Sequence, residues 1–264
     1  MQYQKALKDM MDKRRSINEI KALINVDPNQ ELLQELAGDE RKGVQNLLAQ
    51  YRKRELKKQA AMEAFKKRFS YERAFWQEGK QLVCGIDEVG RGPLAGPVVA
   101  AAVILPHDFG LVEVNDSKQL TKKTRERLYS QIIEQALGVS VGLCDNYEID
   151  TVNIYQAARI AMLKAVNGLS RKPQQLIIDA MDIDSSIEQL KLIKADSKSV
   201  SVAAASIVAK VWRDHLMSFY DSLYPEYDFK SNDGYGTKKH LDALNAYGIT
   251  PLHRRSFEPI KSNF

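Results

Sequence analysis

The amino-acid sequence predicts an α/β protein with a mixed sheet flanked by helices, preceded by a small all-helical module. From residue 81 onwards, short apolar runs alternate with helix-periodic segments, which is typical of a sheet covered by helices. Before that point, apolar residues recur only at helical spacing. We therefore expect a helical module over 1–70 and an α/β domain over 71–264 that ends in a helical region.

The N-terminal module shows three helix signals. Ser16 and Glu19 have the spacing of a capping box, which predicts a first helix. Asp27 precedes Pro28, a pair that suits an N-cap and a first helical residue. A third helical pattern follows residue 40, runs towards Trp76 and stops near Gly79; its apolar face carries Val44, Leu47, Leu48, Tyr51, Phe65 and Phe69.

Positive charge is concentrated in this module. The whole chain has a formal net charge of +5, but residues 1–70 hold 16 Lys+Arg against 10 Asp+Glu, which is +6. Residues 71–264 hold 23 against 24, which is −1. This asymmetry favours a polyanionic partner for the module, and a solvated helix face would explain the same charge equally well.

Composition excludes several classes of protein. No apolar run approaches the roughly 18 residues of a membrane span, and the first residues are charged, so we expect a cytoplasmic protein. Cys84 and Cys144 lie in apolar runs, which predicts buried free thiols. The histidines lack metal-ligand spacing, and we expect surface or supporting positions for all of them: His107, His215, His240 and His253.

Alternating elements fill the second domain. We predict strands over 82–87, 98–105 and 139–144, and short strands over 176–178 and 192–193 that each lead to an aspartate. The helix-periodic segments cover 117–136, 149–169, 199–220 and 238–247, the last one ending at Gly248.

The stretch around Asp87 and Glu88 carries the strongest sign of chemistry. A predicted strand ends there and breaks into a loop with several glycines and one arginine, and a second strand follows that could pair with the first as a hairpin. Glycines let backbone amides approach a ligand closely, and adjacent carboxylates beside such a loop suit metal-dependent phosphodiester chemistry. Because successive strand residues point to opposite faces, a bulge or the strand end must turn one carboxylate.

Two further aspartates, Asp179 and Asp196, follow the short strands. A buried carboxylate is unfavourable unless it is paired or binds a cation, so convergence of these four side chains implies a divalent ion. Oxygen ligands favour Mg²⁺ or Mn²⁺ over zinc. Asp182 and Asp184 are alternatives to Asp179, which we favour because it directly ends the apolar run.

The ordered motifs of residues 72–260 resemble those of bacterial ribonuclease HII, a type 2 ribonuclease H. The segments that carry the resemblance are Asp87-Glu-Val-Gly-Arg-Gly92, Asp116-Ser-Lys-Gln-Leu120, 179–196, Ala195-Asp-Ser-Lys198 with 201–210, Gly234-Tyr235-Gly236 and His253-Arg-Arg-Ser-Phe257. The helical module lies outside this resemblance.

The resemblance implies a ribonuclease H-like fold and a divalent-metal endonuclease. Such an enzyme cleaves the RNA strand of RNA–DNA hybrids and at ribonucleotides embedded in duplex DNA, leaving 3′-hydroxyl and 5′-phosphate ends. The four acidic residues would be Asp87, Glu88, Asp179 and Asp196, holding two Mg²⁺ or Mn²⁺ ions that activate water and stabilise the leaving oxygen. The expected partners are these nucleic acids, and we expect a monomer that does not bind membranes.

Substrate contacts also follow from the resemblance. Gly90, Arg91 and Gly92 would read the 2′-hydroxyl that distinguishes RNA from DNA, and Tyr235 would pack on the sugar beside the ribonucleotide. Five further residues are candidate backbone or phosphate contacts: Ser117, Lys118, Asn153, Lys198 and Arg255.

Two alternatives stay open. Ribonuclease HIII shares the four acidic residues, but Arg91 and the helical character of residues 1–70 distinguish this chain from it. The second alternative is a nucleic-acid-binding protein with an inactive site, against which the intact carboxylates argue. A nuclease assay with and without magnesium decides between an enzyme and a binding protein.

Overall fold

The computed structural model describes residues 15–26 and 28–264. Contacts within the chain divide it into two compact units, 1–63 and 64–264. The predicted boundary at residue 70 falls inside the second unit. The charged residues before Arg15 and the predicted cap Asp27 lie outside the described residues.

The described part of the first unit is helical, as predicted. Its helices are α1 (Ile17–Asn25), α2 (Gln30–Ala37) and the start of α3 (Lys42–Arg68), around a small core of Ile20, Ile24, Leu36, Val44 and Leu48. The capping box is confirmed, since the Ser16 N–H donates to Glu19 Oε2 at 2.7 Å and the Glu19 N–H donates to Ser16 Oγ at 3.3 Å. The prediction that Pro28 opens a helix is wrong, because Asn29 Oδ1 accepts the Leu32 N–H at 2.9 Å and caps α2 instead.

One mixed sheet organises the second unit. Its strands are β1 (Val83–Val89), β2 (Val98–Ile104), β3 (Gly138–Cys144), β4 (Gln175–Asp179) and β5 (Gln189–Leu192). They lie in the order β3-β2-β1-β4-β5. The first three strands are antiparallel neighbours, whereas β4 runs parallel to both β1 and β5. The predicted hairpin of β1 and β2 and the mixed character of the sheet are both confirmed.

Helices make up much of the rest of the second unit. They are α4 (Ser70–Gln77), α5 (Lys122–Gln135), α6 (Asn146–Val152), α7 (Ile154–Asn167), α8 (Val200–Leu223), α9 (Phe229–Asn232), α10 (Lys238–Tyr247) and α11 (Ile260–Asn263), with 3₁₀ turns at Ser117–Gln119, Ala195–Ser197 and Pro225–Tyr227. The single helix predicted over 149–169 is wrong. It is split because Asn153 adopts a positive φ of 70° and its side chain caps α7.

Two of these helices pack on opposite faces of the sheet. Side chains of α8 pack against alternate residues of β2, and side chains of α7 pack against the remaining ones. The close approach of α8 requires Gly85, since a Cβ at this position would overlap the backbone of Ser201. These two helices therefore cover both faces of β1, and its side chains become partly accessible to solvent only near its C-terminal end.

The end of α3 belongs to the core of the second unit. Phe65 and Phe69 are buried in its main apolar cluster, with ring centroids 5.6 Å apart, and Phe69 meets the edge of Trp76 at 5.1 Å. Cys84 and Cys144 are buried free thiols, as predicted. Within the described residues, no helix is both long and apolar enough to cross a membrane.

Candidate active site

Asp87 and Glu88 lie inside β1 rather than at its end. Asp87 pairs with Ala101 and Glu88 with Ala100 in an unbroken antiparallel register. The expectation that a bulge or the strand end turns one carboxylate is therefore wrong, and the two side chains point to opposite faces of the sheet. Asp87 shares the face of Gly85, which is covered by α8, whereas Glu88 shares the face of Ile86, which is covered by α7.

Asp179 reaches the same level of the sheet from β4. The last parallel pair is Ile86 with Ile178, so Asp179 follows in β4 as Asp87 follows in β1. Asp179 Oδ1 accepts the Ala195 N–H at 2.8 Å, which ties the end of β4 to the 3₁₀ turn Ala195–Ser197. The expected cluster at one end of the sheet therefore begins with these two neighbouring strands.

Asp196 lies in that turn and not at the end of a strand, which corrects the sequence prediction. β5 spans Gln189–Leu192 instead of 192–193, and Lys194 then adopts a left-handed backbone (φ 56°) that redirects the chain. The turn precedes α8 and leaves Asp196 only 8% exposed. Tertiary contacts rather than an apolar run therefore bury this carboxylate.

The carboxylates perturb one another. Burial raises the pKa of Asp87, which is 7% exposed, well above its usual range, and repulsion from Glu88, Asp179 and Asp196 raises it further. A hydrogen bond from the Ser206 side chain acts in the opposite direction. Burial also raises the pKa of Asp196, and repulsion from Asp116 and Asp179 adds to this effect, while Lys118 opposes it.

Glu88 has a different environment. Burial raises the pKa of its carboxyl, the Arg91 guanidinium opposes this, and repulsion from Asp179 adds to it. The Arg91 Nη1 atom lies 3.5 Å from Glu88 Oε1. Glu88 Oε2 is buried, and no hydrogen-bond partner for it exists among the described residues. An unpaired buried carboxylate oxygen is costly, so a cation would stabilise it.

The carboxylate oxygens suit a divalent cation, although they do not form a coordination shell in this structure. In the described part of the chain, no three His, Cys, Asp or Glu side chains converge closely enough to hold a metal ion. The oxygen-only donors, the mutual repulsion and the unpaired Glu88 oxygen nevertheless fit Mg²⁺ or Mn²⁺.

The alternative ligand Asp182 has other partners. Its carboxylate accepts from Arg159 Nη2 at 3.2 Å and lies 3.5 Å from Lys191 Nζ, and its side chain is exposed. Asp184 is exposed as well. Asp179, by contrast, acts electrostatically on Asp87, Glu88 and Asp196. The geometry therefore favours Asp179 over the two rivals.

Two buried arginines hold the loop of residues 90–97 that follows β1, called the glycine loop below. Gly90 has a positive φ of 89°. The Arg254 Nη2 atom donates to the Gly90 carbonyl at 2.6 Å, and Nη1 donates to the Arg91 carbonyl at 2.9 Å. Arg213 Nε donates to the Pro97 carbonyl at 3.0 Å. The guanidinium groups therefore fix both ends of the loop.

Neither arginine was identified from the sequence. Burial and then repulsion from Arg213 lower the pKa of Arg254 to about 9, so it remains cationic at neutral pH. The predicted contact was the neighbouring Arg255, whose side chain is exposed and whose backbone N–H donates to Asp150 Oδ2 at 2.9 Å. The motif His253-Arg-Arg-Ser-Phe257 was the available signal, but it does not say which arginine is buried.

Tyr235 adjoins the glycine loop. A Cβ added to Gly92 would lie 3.3 Å from Tyr235 Cε1, so a side chain at this position would press on the ring. The Leu94 N–H donates to the Gly234 carbonyl at 2.8 Å and joins the loop to the turn around Tyr235. The tyrosine ring is 48% exposed and is therefore free to contact a ligand.

The remaining predicted contacts separate into two groups. Lys118 and Lys198 are exposed near the Asp196 turn. Ser117 is buried, and its hydroxyl lies 2.9 Å from the hydroxyl of Ser206, the hydrogen-bond partner of Asp87. Asn153 Oδ1 accepts two N–H groups at the start of α7, at 3.0 and 3.1 Å. Ser117 and Asn153 therefore have structural contacts of their own.

Sequence reasoning also missed Glu72, a residue of α4 that is 1% exposed. Its Oε1 atom accepts from the hydroxyls of Ser199 and Ser201 at 2.6 and 2.7 Å and from the Ser201 N–H at 2.9 Å. These contacts cap the start of α8, directly after the Asp196 turn. No local pattern distinguishes this glutamate from others in a charged helix.

The four histidines, for which surface or supporting positions were expected, differ in exposure. His215 is exposed and lies 2.9 Å from Glu126 Oε1, in agreement with the expectation. His240 and His253 are instead 0% and 1% exposed. Long-range packing buries them, and their sequence neighbourhood does not reveal this.

The sequence profile of the family described as Ribonuclease HII matches residues 84–260. A second profile, described as the Ribonuclease HII N-terminal domain, matches residues 16–76. The expectation that the helical module lies outside the resemblance is therefore wrong. The module belongs to a recognised domain of the same family.

Individual proteins agree with the profiles. The chain is 59% identical over 245 residues to a Ribonuclease HII of Lactobacillus johnsonii, covering 93% of this chain and 98% of that one. The ribonuclease H2 of Pyrococcus horikoshii is 29% identical with a TM-score of 0.59, covering 68% and 95%. Bst-RNase HIII in complex with Mn²⁺ is 23% identical with a TM-score of 0.54, covering 69% and 68%, and shares the fold.

Proposed function

Since this chain belongs to the ribonuclease HII family of endonucleases that act on RNA–DNA hybrids, we propose that it also cleaves at ribonucleotides embedded in duplex DNA, by two-metal-ion hydrolysis. The products would carry 3′-hydroxyl and 5′-phosphate ends. One observation supports this most directly. Asp179 at the end of β4 lies within electrostatic reach of Asp87 and Glu88 on β1 and of Asp196 in the turn after β5.

The four carboxylates would hold Mg²⁺ or Mn²⁺. When bound, such ions supply the positive charge that activates an attacking water and stabilises the departing 3′-oxygen. The chain supplies the rest. Asp179 is oriented by the Ala195 N–H, Asp87 by Ser206, and Glu88 keeps one oxygen unpaired for a ligand.

The glycine loop and Tyr235 would read the junction between RNA and DNA. Arg254 fixes the carbonyls of Gly90 and Arg91, and this fixes the peptide planes that address the 2′-hydroxyl. Tyr235 offers an exposed ring next to Gly92 for the neighbouring sugar. We propose that the two elements act together on single embedded ribonucleotides.

The test is a cleavage map. A duplex with one ribonucleotide and a uniform hybrid are each incubated with Mg²⁺, with Mn²⁺ and with a chelator. We expect cleavage of both substrates with metal, no cleavage with chelator, and one cut position beside the single ribonucleotide. Cleavage that persists in chelator would refute the metal mechanism, and an uncut single-ribonucleotide duplex would refute the junction activity.

We further propose that the basic N-terminal module contributes to nucleic-acid affinity. Exposed basic residues on the first part of α3 include Arg52, Lys53 and Lys57. Phosphate contacts of this kind weaken steeply with salt and act equally on ground and transition states. Removing residues 1–70 would also remove Phe65 and Phe69 from the core of the second unit, so full-length charge variants are the better test.

A triple variant, Arg52→Gln, Lys53→Gln and Lys57→Gln, should bind hybrids more weakly, with a shallower dependence of log affinity on log salt. KM should change more than kcat. The matched control exchanges the same positions between lysine and arginine, which preserves charge and should preserve the slope. An unchanged slope in the glutamine variant would refute this role for the module.

A further inference from the structure

A pair of buried histidines lies beside the turn formed by residues 234–236, called the tyrosine turn below. The Nε2 atoms of His240 and His253 are 3.0 Å apart. Aromatic rings surround the pair, with Phe229 5.3 Å from His240 and Tyr227 5.3 Å from His253 between ring centroids. Burial lowers the pKa of His240, and burial with repulsion from His240 lowers that of His253 to about 4, so both rings are neutral at pH 7.

The hydrogen bonds of the pair have only one consistent direction. The Thr250 backbone N–H can only donate, and it donates to His253 Nδ1 at 2.8 Å. His253 therefore carries its proton on Nε2 and donates to His240 Nε2. His240 then carries its proton on Nδ1 and donates to the Tyr235 carbonyl at 2.9 Å.

The two ends of this chain of hydrogen bonds are attached to the two substrate-reading elements. His240 contacts the backbone of Tyr235. His253 forms an isolated β-bridge with Ala95, and its neighbour Arg254 donates from its backbone N–H to the Leu94 carbonyl at 2.8 Å. The contact between the two histidines thus joins the tyrosine turn to the segment that contains Arg254, which donates to carbonyls of the glycine loop.

Other connections exist, and they act on different atoms. Arg213 donates to the Asp233 carbonyl at 2.9 Å and to the Ala95 carbonyl at 3.2 Å. The Leu94 N–H donates to the carbonyl of Gly234, one residue before the tyrosine. Two attachments on successive peptide units fix orientation as well as position.

The carbonyl that His240 contacts belongs to Tyr235 itself and also accepts the Thr237 N–H at 2.8 Å. His240 is therefore one of two donors that orient the backbone of Tyr235, and with it the Cα–Cβ bond that carries the ring towards Gly92.

We propose that His240 and His253 are positioning residues that hold the Tyr235 ring at a fixed distance from the glycine loop, and so set the preference for isolated ribonucleotides over uniform hybrids. This inference rests on the proposed function of Tyr235. Neither histidine touches the substrate, and both act through the backbone of the turn.

The proton positions are tested without substrate, in the full chain. Long-range ¹⁵N–¹H spectra of imidazole nitrogens distinguish the two neutral tautomers. We expect the Nδ1–H tautomer for His240 and the Nε2–H tautomer for His253 at neutral pH. The opposite tautomer in either ring, or a protonated ring, would contradict the proposed direction of the hydrogen bonds from His253 through His240 to Tyr235.

Two matched substitutions test the positioning role. His240→Asn places an amide N–H near the position of Nδ1 and can keep the bond to Tyr235, whereas His240→Gln places its amide near the position of Nε2 and loses that bond. We expect His240→Gln to lower the ratio of single-ribonucleotide to hybrid cleavage by about tenfold, the scale of one lost buried hydrogen bond. His240→Asn should lower it less, and the exposed control His215→Gln should leave it unchanged.

Selectivity and folding are separated by measuring kcat, KM and Tm for each variant on both substrates. Equal losses on both substrates would mean that the histidines only stabilise the fold, and would overturn the inference. An unchanged ratio in His240→Gln, while Tyr235→Ala lowers it, would overturn the inference alone. An unchanged ratio in Tyr235→Ala would refute junction reading itself, and the inference with it.

Discussion

The carboxylates around β1 and the wall formed by the glycine loop and the tyrosine turn differ in how many of their buried polar groups have hydrogen-bond partners. In the first region, burial and mutual repulsion raise the pKa of Asp87 and Glu88, and one Glu88 oxygen has no partner among the described residues. In the second, Arg254 and Arg213 donate to backbone carbonyls throughout the loop.

This difference indicates a division of labour. The carboxylate region keeps an unmet negative charge that a cation would stabilise, so substitutions there should change the rate of cleavage. The wall is satisfied before any ligand arrives, so substitutions there should change stability and selectivity. Substitutions in each region can test this division, and the largest effect is expected at Asp179.

Asp179→Asn should reduce kcat at least about a thousandfold, because it removes a charge that cation binding requires. Binding of the hybrid should remain close to that of the wild type, since the proposed phosphate contacts involve other residues. Single-turnover cleavage and hybrid affinity are the measurements. The control is Asp182→Asn in the following loop, which should retain activity; the reverse result would transfer the ligand role to Asp182.

Arg254→Lys should destabilise the protein by about 2–4 kcal/mol, because lysine cannot satisfy the several buried carbonyls that the guanidinium binds. Urea unfolding measures the loss. Arg255→Lys is the matched control at the adjacent, exposed position and should change stability by less than about 0.5 kcal/mol. Equal stability of both variants would show that the wall is not held by Arg254.

Tyr235→Ala should lower cleavage at single ribonucleotides relative to uniform hybrids by about tenfold, the scale of one aromatic stacking contact. Its Tm should change little, because the ring is 48% exposed. Cleavage rates on the two substrates give the ratio. Parallel losses on both would place Tyr235 with the general binding surface and weaken the proposed division.

Glu72→Gln tests a carboxylate with one satisfied and one unsatisfied oxygen. Oε1 accepts from three donors, whereas Oε2 is buried without a partner in the described structure. Burial raises the pKa of Glu72, so the folded state keeps this proton to higher pH than the unfolded chain. The stability contributed by this proton is present at low pH and is lost as pH rises through the folded pKa.

Glutamine does not titrate, so the stability of Glu72→Gln relative to the wild type should increase as pH rises. Urea unfolding of both proteins from about pH 5 to pH 8 gives this difference, in which other titrating groups cancel. We expect the smallest effect of the four here. A difference that is independent of pH would contradict the buried, proton-retaining carboxylate.

Most of the fold was predictable because it is encoded locally. Apolar runs gave the strands, helical periodicity gave the helices, and the Ser16–Glu19 spacing gave a cap that the structure confirms. The errors lie where a single backbone angle decides, as at Asn153, which splits a helix, or at Lys194, which moves Asp196 into a turn. Neither angle follows from the hydrophobic pattern.

Local sequence patterns predict the strand and helix order, the glycine loop and the carboxylates that follow the apolar runs, whose catalytic roles stay predictions. Three contacts became visible only in the folded chain: Arg254 rather than Arg255 is buried, Glu72 caps α8, and His240 meets His253. Each of these contacts joins segments far apart in the chain. Such partners depend on which surfaces meet when the sheet is covered, and short-range patterns contain no information about that.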